Sequence, residues 1–198
     1  MEHYYTKKPK STEITQIIQI KTKKDEFELE TNSGLFSKNK LDKGSQVLIE
    51  NMDLTNSHKV LDIGCGYGTI GISILREKPE TELTMIDVNE RAIKQTIRNL
   101  KKLNLKAKVK QSNLYEKIKD KYDLIISNPP ISAGRKLNNE LIIKSKEYLN
   151  KNGSIQIVCK HRKGGEYLQG KIEEVFGNCE ILAKKSGYRV YKGTKKSE

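Results

Sequence analysis

The sequence predicts an α/β domain: a doubly wound, mostly parallel seven-stranded sheet closed by an antiparallel hairpin, with an N-terminal β-hairpin extension. Three observations carry this prediction. From His58 onward, short apolar runs alternate with segments whose apolar residues recur at helical spacing. Repeated β–α alternation of this kind implies a parallel sheet covered on both faces. The last two apolar runs are joined by Ser186-Gly187, a tight turn, so the closing pair must bring in an antiparallel strand. Ahead of the alternation, two strand-like runs flank a polar turn. At 198 residues the chain suits one domain, with 1–56 as a hairpin-and-helix extension and 57–198 as the core.

In order, residues 14–20 read as a strand and Lys23-Lys24-Asp25 as a polar turn. Phe27, Leu29 and Thr31 alternate with Glu26, Glu28 and Glu30 as the returning strand. Asn32-Ser33-Gly34 breaks the pattern, and 46–52 forms a short helix leading into the core. The first core strand is 59–63. A helix follows over 69–78, with Ile70, Ile74 and Leu75 on one face. The second strand is 82–87. Asn89 then caps a helix over 90–103, where Ala92, Ile93, Thr96, Ile97 and Leu100 recur at helical spacing. Strands over 107–112 and 123–127, a helix over 138–149, a strand over 154–160 and a helix over 166–176 continue the alternation. Residues 179–184 and 188–192 form the closing pair.

The formal net charge of +13 points to a polyanionic partner. The excess of lysine over arginine reads equally as composition and solubility. Three cysteines (Cys65, Cys159 and Cys179) lack the spacing of a disulfide framework or a zinc knuckle, and three scattered histidines assemble no metal site. The N-terminal ten residues lack the apolar core of a signal peptide, and no apolar stretch approaches bilayer length. The expectation is a cytoplasmic, reduced protein without a metal; composition does not address its oligomeric state.

Two motifs carry chemistry. After the first core strand comes Asp62-Ile63-Gly64-Cys65-Gly66-Tyr67-Gly68, a glycine turn opening a helix. Such a turn lets backbone approach a ligand and presents helix N-terminal amides. Gly66, Gly68 and Gly71 satisfy the dinucleotide spacing G-x-G-x-x-G. Asp62 with Gly64, Gly66 and Gly68 satisfies instead the acidic-x-G-x-G-x-G pattern of S-adenosylmethionine sites. Asp87, at the end of the next strand, suits the ribose hydroxyls of either cofactor. Asp62 discriminates, because a carboxylate repels a pyrophosphate but attracts the ammonium of a methionine moiety.

The second motif is Asn128-Pro129-Pro130-Ile131, which ends the fourth core strand. The prolines have no N–H and fixed φ, so they end the strand in a rigid edge of carbonyl oxygens. That edge suits accepting hydrogen bonds from an –NH₂ group. An exocyclic aromatic amine is a poor nucleophile because its lone pair is delocalised. If its two N–H bonds point at the Asn128 side-chain oxygen and the Pro129 carbonyl, the nitrogen can pyramidalise and aim that lone pair. Positioning of this kind supplies roughly 7–11 kcal/mol, and no strong base is needed. Cys65 and Cys159 do not follow the pattern of a nucleophile for ring-carbon methylation.

Val60 to Gly71, Asp87, Ser112-Asn113 and the Asn-Pro-Pro-Ile corner together resemble the ordered motifs of class I S-adenosylmethionine-dependent methyltransferases. More narrowly, the chain resembles the small single-domain relatives of the RsmC-type ribosomal RNA guanine methyltransferases. That match extends to His3-Tyr4-Tyr5, Gly34-Leu35-Phe36-Ser37-Lys38, Leu41-Asp42-Lys43-Gly44-Ser45 and Ala133-Gly134. The resemblance implies a Rossmann-like fold with the first and fourth core strands side by side, which would set Asn128 beside the glycine turn. It implies that Asp62, Gly64 and Gly66 border the methionine part, that Asp87 holds the ribose and that Asn113 meets the adenine edge. Cys65, Gly68, Val88, Leu114 and Asn128 would complete the cofactor set, with Phe36 in a covering loop. Asn128, Pro129, Pro130 and Ile131 would be the catalytic corner.

Ile131 stands where adenine, cytosine and protein-glutamine amino-methyltransferases usually carry an aromatic residue, and it is shared with many guanine-directed relatives. Tyr4 and Tyr5 would supply stacking to the base in its place. Arg135-Lys136 after the corner, and Lys160, Arg162 and Lys163 after the fifth core strand, are placed to hold RNA phosphates around an extruded base. The expected partner is ribosomal RNA. The rival readings are a protein-glutamine N-methyltransferase and an RNA-binding ribosome-assembly factor that keeps the fold. Larger RsmC-type enzymes carry a second, degenerate methyltransferase domain for which these 198 residues leave no room. Their particular target nucleotide therefore does not transfer by resemblance.

Overall fold

The computed structural model describes residues 15–32, 41–130 and 134–196. Two antiparallel strands, β1 (Thr15–Lys21) and β2 (Glu26–Asn32), form a separate two-stranded sheet. Helix α1 (Lys43–Asn51) follows, and then the main alternation begins. It runs β3 (Lys59–Ile63), α2 (Thr69–Glu77), β4 (Glu82–Asp87), α3 (Glu90–Lys102), β5 (Lys108–Gln111), β6 (Tyr122–Ser127), α4 (Gly134–Tyr148) and β7 (Leu149–Lys160). A 3-10 turn at His161–Lys163, α5 (Gly165–Phe176), β8 (Glu180–Lys185) and β9 (Tyr188–Thr194) close the chain.

The large sheet has the order β5-β4-β3-β6-β7-β9-β8, with β9 antiparallel to both β7 and β8 and the remaining pairs parallel. This is the class I methyltransferase arrangement that the sequence predicts. From β3 the chain winds outward to β5 and then returns to place β6 against the other side of β3. The strand order therefore reverses between β3 and β6, where ligands of doubly wound sheets bind.

Alternation along the central strands deals their side chains to two cores. Val60, Leu124, Ile126 and Val158 pack with α1, α2, α3 and the β1–β2 hairpin. Leu61, Ile63, Ile125, Ile155 and Ile157 pack with α4 and α5 on the opposite face. Period-two dealing of buried residues is what a sheet covered on both faces requires. The hairpin is docked rather than loosely attached. Its turn residue Asp25 pairs with Arg76 of α2, and Asn99 of α3 binds the Glu30 backbone through both its oxygen (3.0 Å) and its nitrogen (2.8 Å).

Four sequence expectations are corrected. Helix α1 begins at Lys43 rather than 46, because the Asp42 carboxylate caps it by accepting from Ser45 N at 2.9 Å. Helix α4 begins at Gly134 rather than 138, so Arg135 and Lys136 ride on its first turn instead of in a loop. Strand β7 begins at Leu149 rather than 154, because Leu149 already pairs with Tyr122 before a register shift restores Leu124 opposite Ser154. Ile97 is 49% exposed: one residue past Thr96, it turns off the buried stripe toward solvent.

Candidate active site

A cleft opens at the carboxyl ends of β3, β4 and β6, at the reversal of strand order, and encloses about 860 Å³ including its mouth. One wall is the glycine turn. Gly64 N and Cys65 N donate to the Ile86 carbonyl at 2.9 and 3.0 Å, pinning the turn to the end of β4. Gly66 N donates to Asp87 Oδ2 at 2.9 Å, while Asn89 N donates to Asp87 Oδ1 at 2.8 Å. Asp87 thus braces the turn and the start of α3 from a buried position. Gly71 allows α2 to lie close against the sheet, since any Cβ there would collide with Met85 and stand 3.1 Å from Asp62 Oδ2.

Asp62 is fully buried on β3, facing α2. Its Oδ2 accepts from Gly71 N at 3.0 Å, and its Oδ1 has no hydrogen-bond partner among the described residues. Burial pushes the carboxyl up to about 7; the Gly71 amide opposes the rise and the charge of Asp87 adds to it. A buried oxygen left unpaired costs about 1–3 kcal/mol, and the group that best relieves it is a cationic N–H donor. The donor set thus fits a ligand with an ammonium end near Asp62 and hydroxyls near Asp87. Across the cleft, Leu114 holds a left-handed φ of 44° in the wall after β5, a conformation costing on the order of 1–3 kcal/mol and typical of ligand sites.

The other wall is the double-proline corner, tied to the glycine turn by Ser127 Oγ, which donates to the Ile63 carbonyl at 2.8 Å. Asn128 Nδ2 donates to Asp42 Oδ2 at 2.7 Å and to Ser45 Oγ at 2.9 Å. A carboxylate only accepts, so Asp42 fixes which end of the amide is nitrogen. Both amide hydrogens are then spent on α1, and Oδ1 has no hydrogen-bond partner among the described residues. Sequence reasoning left Asp42 and Ser45 out of the site. The signal was present in the order Asp-x-x-Ser at a helix start, but that order specifies a cap and not the partner 86 residues away.

A model of the methyltransferase small domain matches residues 26–192. The chain belongs to that family. Uncharacterized protein YbxB of Bacillus subtilis (strain 168) is 34% identical over 198 residues, covering 98% of each chain. Ribosomal RNA small subunit methyltransferase C of Hamiltonella defensa is 35% identical over 173 residues, which is 85% of this chain and 51% of that relative. The chain thus spans about half the length of the methyltransferase C relatives. Among solved structures, the T. thermophilus 16S rRNA N2 G1207 methyltransferase (RsmC), in complex with AdoMet and guanosine, superposes with a TM-score of 0.80. It is 21% identical and covers 95% of this chain and 52% of its own. The protein is accordingly a member of a methyltransferase family and shares the fold of that structure.

The methyltransferase brings most of its sequence-predicted site residues to this cleft. Asp87, Val88, Asn113, Leu114, Asn128, Pro129 and Pro130 all line it, as do Gly64, Cys65 and Gly66. Asp62 lies beneath it, and Gly68 is set back. With φ of 96°, Gly68 caps α2 and faces Ile72, so its part is to turn the chain. Asn113 spends one amide hydrogen on Glu116 Oε1 at 2.7 Å. The Cys65 thiol is pushed well above its usual range by burial and by the charges of Asp87 and Asp62, which makes it inert as a nucleophile. Arg135, Lys136, Lys160, Arg162 and Lys163 stand outside the cleft. Phe36, Ile131, Tyr4 and Tyr5 lie outside the described residues.

Proposed function

We propose that this methyltransferase modifies an exocyclic amine of a nucleobase in ribosomal RNA, with guanine N2 the acceptor. The observation that carries the reading is the locked amide of Asn128. A nitrogen-methylating site must offer acceptors to the amine and no donor that would compete for its lone pair. Asp42 imposes that polarity, because it and Ser45 take both hydrogens of the Asn128 nitrogen and leave its oxygen as the group able to accept. The guanine and ribosomal RNA assignments are supported by Ile131 after Pro130, by the basic residues that follow β6 and β7 and by the names of the relatives.

When bound, S-adenosylmethionine supplies an electrophilic methyl group on a sulfonium. Asp62 Oδ1 would meet its ammonium, and the remaining lone pairs of Asp87 would meet its ribose hydroxyls. Val88, Asn113 and Leu114 would border its adenine. On the acceptor side, Asn128 Oδ1 and the Pro129 carbonyl would take the two amine hydrogens, orienting the nitrogen lone pair into the cleft. Both dipoles also favour the positive charge that grows on that nitrogen. One proton then leaves to water, so no dedicated base is required.

The test is Asn128→Ala, assayed by methyl transfer to undermodified ribosomal RNA and by calorimetric titration of the cofactor. Turnover should fall on the order of 10²–10³-fold, as for loss of one preorganised polar group at a reacting centre, with cofactor affinity within twofold of wild type. Turnover within a few fold of wild type would remove Asn128 from the reaction. Nucleoside analysis of the labelled RNA identifies the modified base directly.

A further inference from the structure

The predicted RNA residues Lys160, Arg162 and Lys163 do not stand alone. Together with Lys184, Lys185 and Arg189 from the β8–β9 hairpin they line an open groove of about 1050 Å³, and no carboxylate lines it. Of the six groove cations only Lys185 has a carboxylate partner among the described residues, Glu50 at 2.7 Å. Six cations with no carboxylate in the lining itself suit a polyanion; the carboxylates that reach the lining residues are Glu50 at Lys185 and Glu166 at His161 (3.1 Å).

The groove leads to the acceptor corner by two routes. Lys163 also lines a smaller pocket together with Pro129 and with Arg135, which stacks over Tyr167 at 5.0 Å. Tyr188, in the groove wall, packs against Gly44. A Cβ added there would stand 3.0 Å from the tyrosine ring and 3.2 Å from Asn128 Oδ1. A second basic cavity, with Lys121, Lys146, Lys151 and Lys195, has no such route. It lines neither proline, and both Lys146 and Lys195 spend their ammonium groups on backbone carbonyls.

We propose that the β8–β9 hairpin and the 3-10 turn after β7 are the two walls of a track that holds the phosphates of an unpaired RNA strand beside the Asn128 cleft. This rests on the RNA reading above and adds the hairpin to it. Arg162 and Arg189 bring forks that match phosphate oxygens in pairs, and the lysines add point charges along the strand. An unpaired strand is required because a base held in a duplex cannot reach the corner without leaving its stack.

The experiment compares the wild-type chain, the Lys184→Ala/Arg189→Ala double variant and a Lys121→Ala/Lys151→Ala control, each saturated with S-adenosylmethionine. Anisotropy of a labelled single-stranded RNA oligonucleotide is followed across salt concentrations. Loss of two phosphate contacts should weaken binding roughly 25-fold at 0.1 M salt and flatten the logarithmic salt slope by about 1.4. Cofactor affinity should not change, and the control should stay within twofold of wild type. A hairpin variant that binds RNA like wild type overturns the track while leaving the RNA reading intact. Poly-glutamate competing as well as RNA overturns it in favour of an acidic protein partner. A wild-type chain that binds the cofactor but no RNA overturns the RNA reading itself.

Discussion

On the cofactor wall of the cleft the two carboxylates are anchored over short stretches of chain, whereas on the acceptor wall the decisive contact spans most of it. Asp62 meets Gly71 nine residues on, and Gly66 meets Asp87 across twenty-one. Asn128 is held by Asp42, 86 residues away in the helix that precedes the core. The first wall is built mainly on the β3–α2–β4 unit and is braced by Thr96 and Asn99 of α3, which donate to the Gly66 and Tyr67 carbonyls. The second exists only after β6 has inserted beside β3 and α1 has docked over it. The contrast extends to satisfaction: the cofactor wall keeps an unpaired buried oxygen at Asp62, while the acceptor wall leaves none of its amide hydrogens free. One wall stores an unmet demand that a ligand relieves. The other is already satisfied and acts by orientation.

The largest effect should come from removing that unmet demand. In Asp62→Asn the buried group cannot ionise, and the cofactor's ammonium loses its counter-charge. Affinity should fall on the order of 100-fold, within the range for losing one partner of a buried charge pair. The pH dependence sharpens the point. The carboxyl of Asp62 is raised from 3.8 to about 7 in the folded, unliganded protein. Its stabilising contribution is therefore complete below its unfolded value and is lost progressively as pH rises from 3.8 to about 7, by an upper bound of roughly 4 kcal/mol in all and about 1.4 kcal/mol between pH 6 and 8. Cofactor affinity runs the other way, weakening as pH falls through 7 and Asp62 takes up a proton. Thermal scans and calorimetry from pH 6 to 8 should show both trends in the wild type and neither in Asp62→Asn. Flat wild-type profiles would mean that Asp62 is not the ammonium's partner.

The same contrast explains what was legible in the sequence. The glycine turn, Asp87 and the double proline each announce themselves within a dozen residues, because βαβ geometry is written in local periodicity and turn chemistry. The seven-stranded sheet followed from that periodicity, although β7 and α4 began earlier than the pattern showed. The early start of β7 rests on tertiary pairing (Leu149 with Tyr122) rather than on propensity. Asp42 and Ser45 were visible only within the Leu41–Ser45 segment that carries the resemblance, and the hairpin cations Lys184, Lys185 and Arg189 only as charge. Nothing local states that a cap will hold an amide from another strand, or that two loops far apart in sequence will face one groove.

Asp42 offers a finer way to break the comparison. Ser45 Oγ can donate or accept, so it cannot choose the orientation of the Asn128 amide. Asp42→Ala leaves that choice to Ser45, and kcat should drop about tenfold (roughly 1.4 kcal/mol) with cofactor affinity unchanged. Loss of the cap should also lower stability by about 1 kcal/mol. Asp42→Asn keeps an acceptor at the same place and should restore most of kcat. If Asn fails as completely as Ala, the carboxylate acts through its charge and not through the orientation it imposes.

The smallest change strikes the acceptor wall from behind. Gly44 sits in the first turn of α1, where an added methyl would stand 3.0 Å from Asp42 Oδ2 and 3.2 Å from Asn128 Oδ1. Those separations are tight enough to push the amide by a few tenths of an ångström. Helix propensity works in the opposite direction, since alanine favours α1 by up to about 1 kcal/mol over glycine. Gly44→Ala should therefore leave the melting temperature equal or raised while kcat falls about threefold, because reacting groups tolerate little displacement. Measured together, the two quantities separate a positioning effect from general damage. A variant that is both more stable and fully active would show that the amide tolerates the shift, and that the orientation of Asn128 is less exacting than its three-residue cradle suggests.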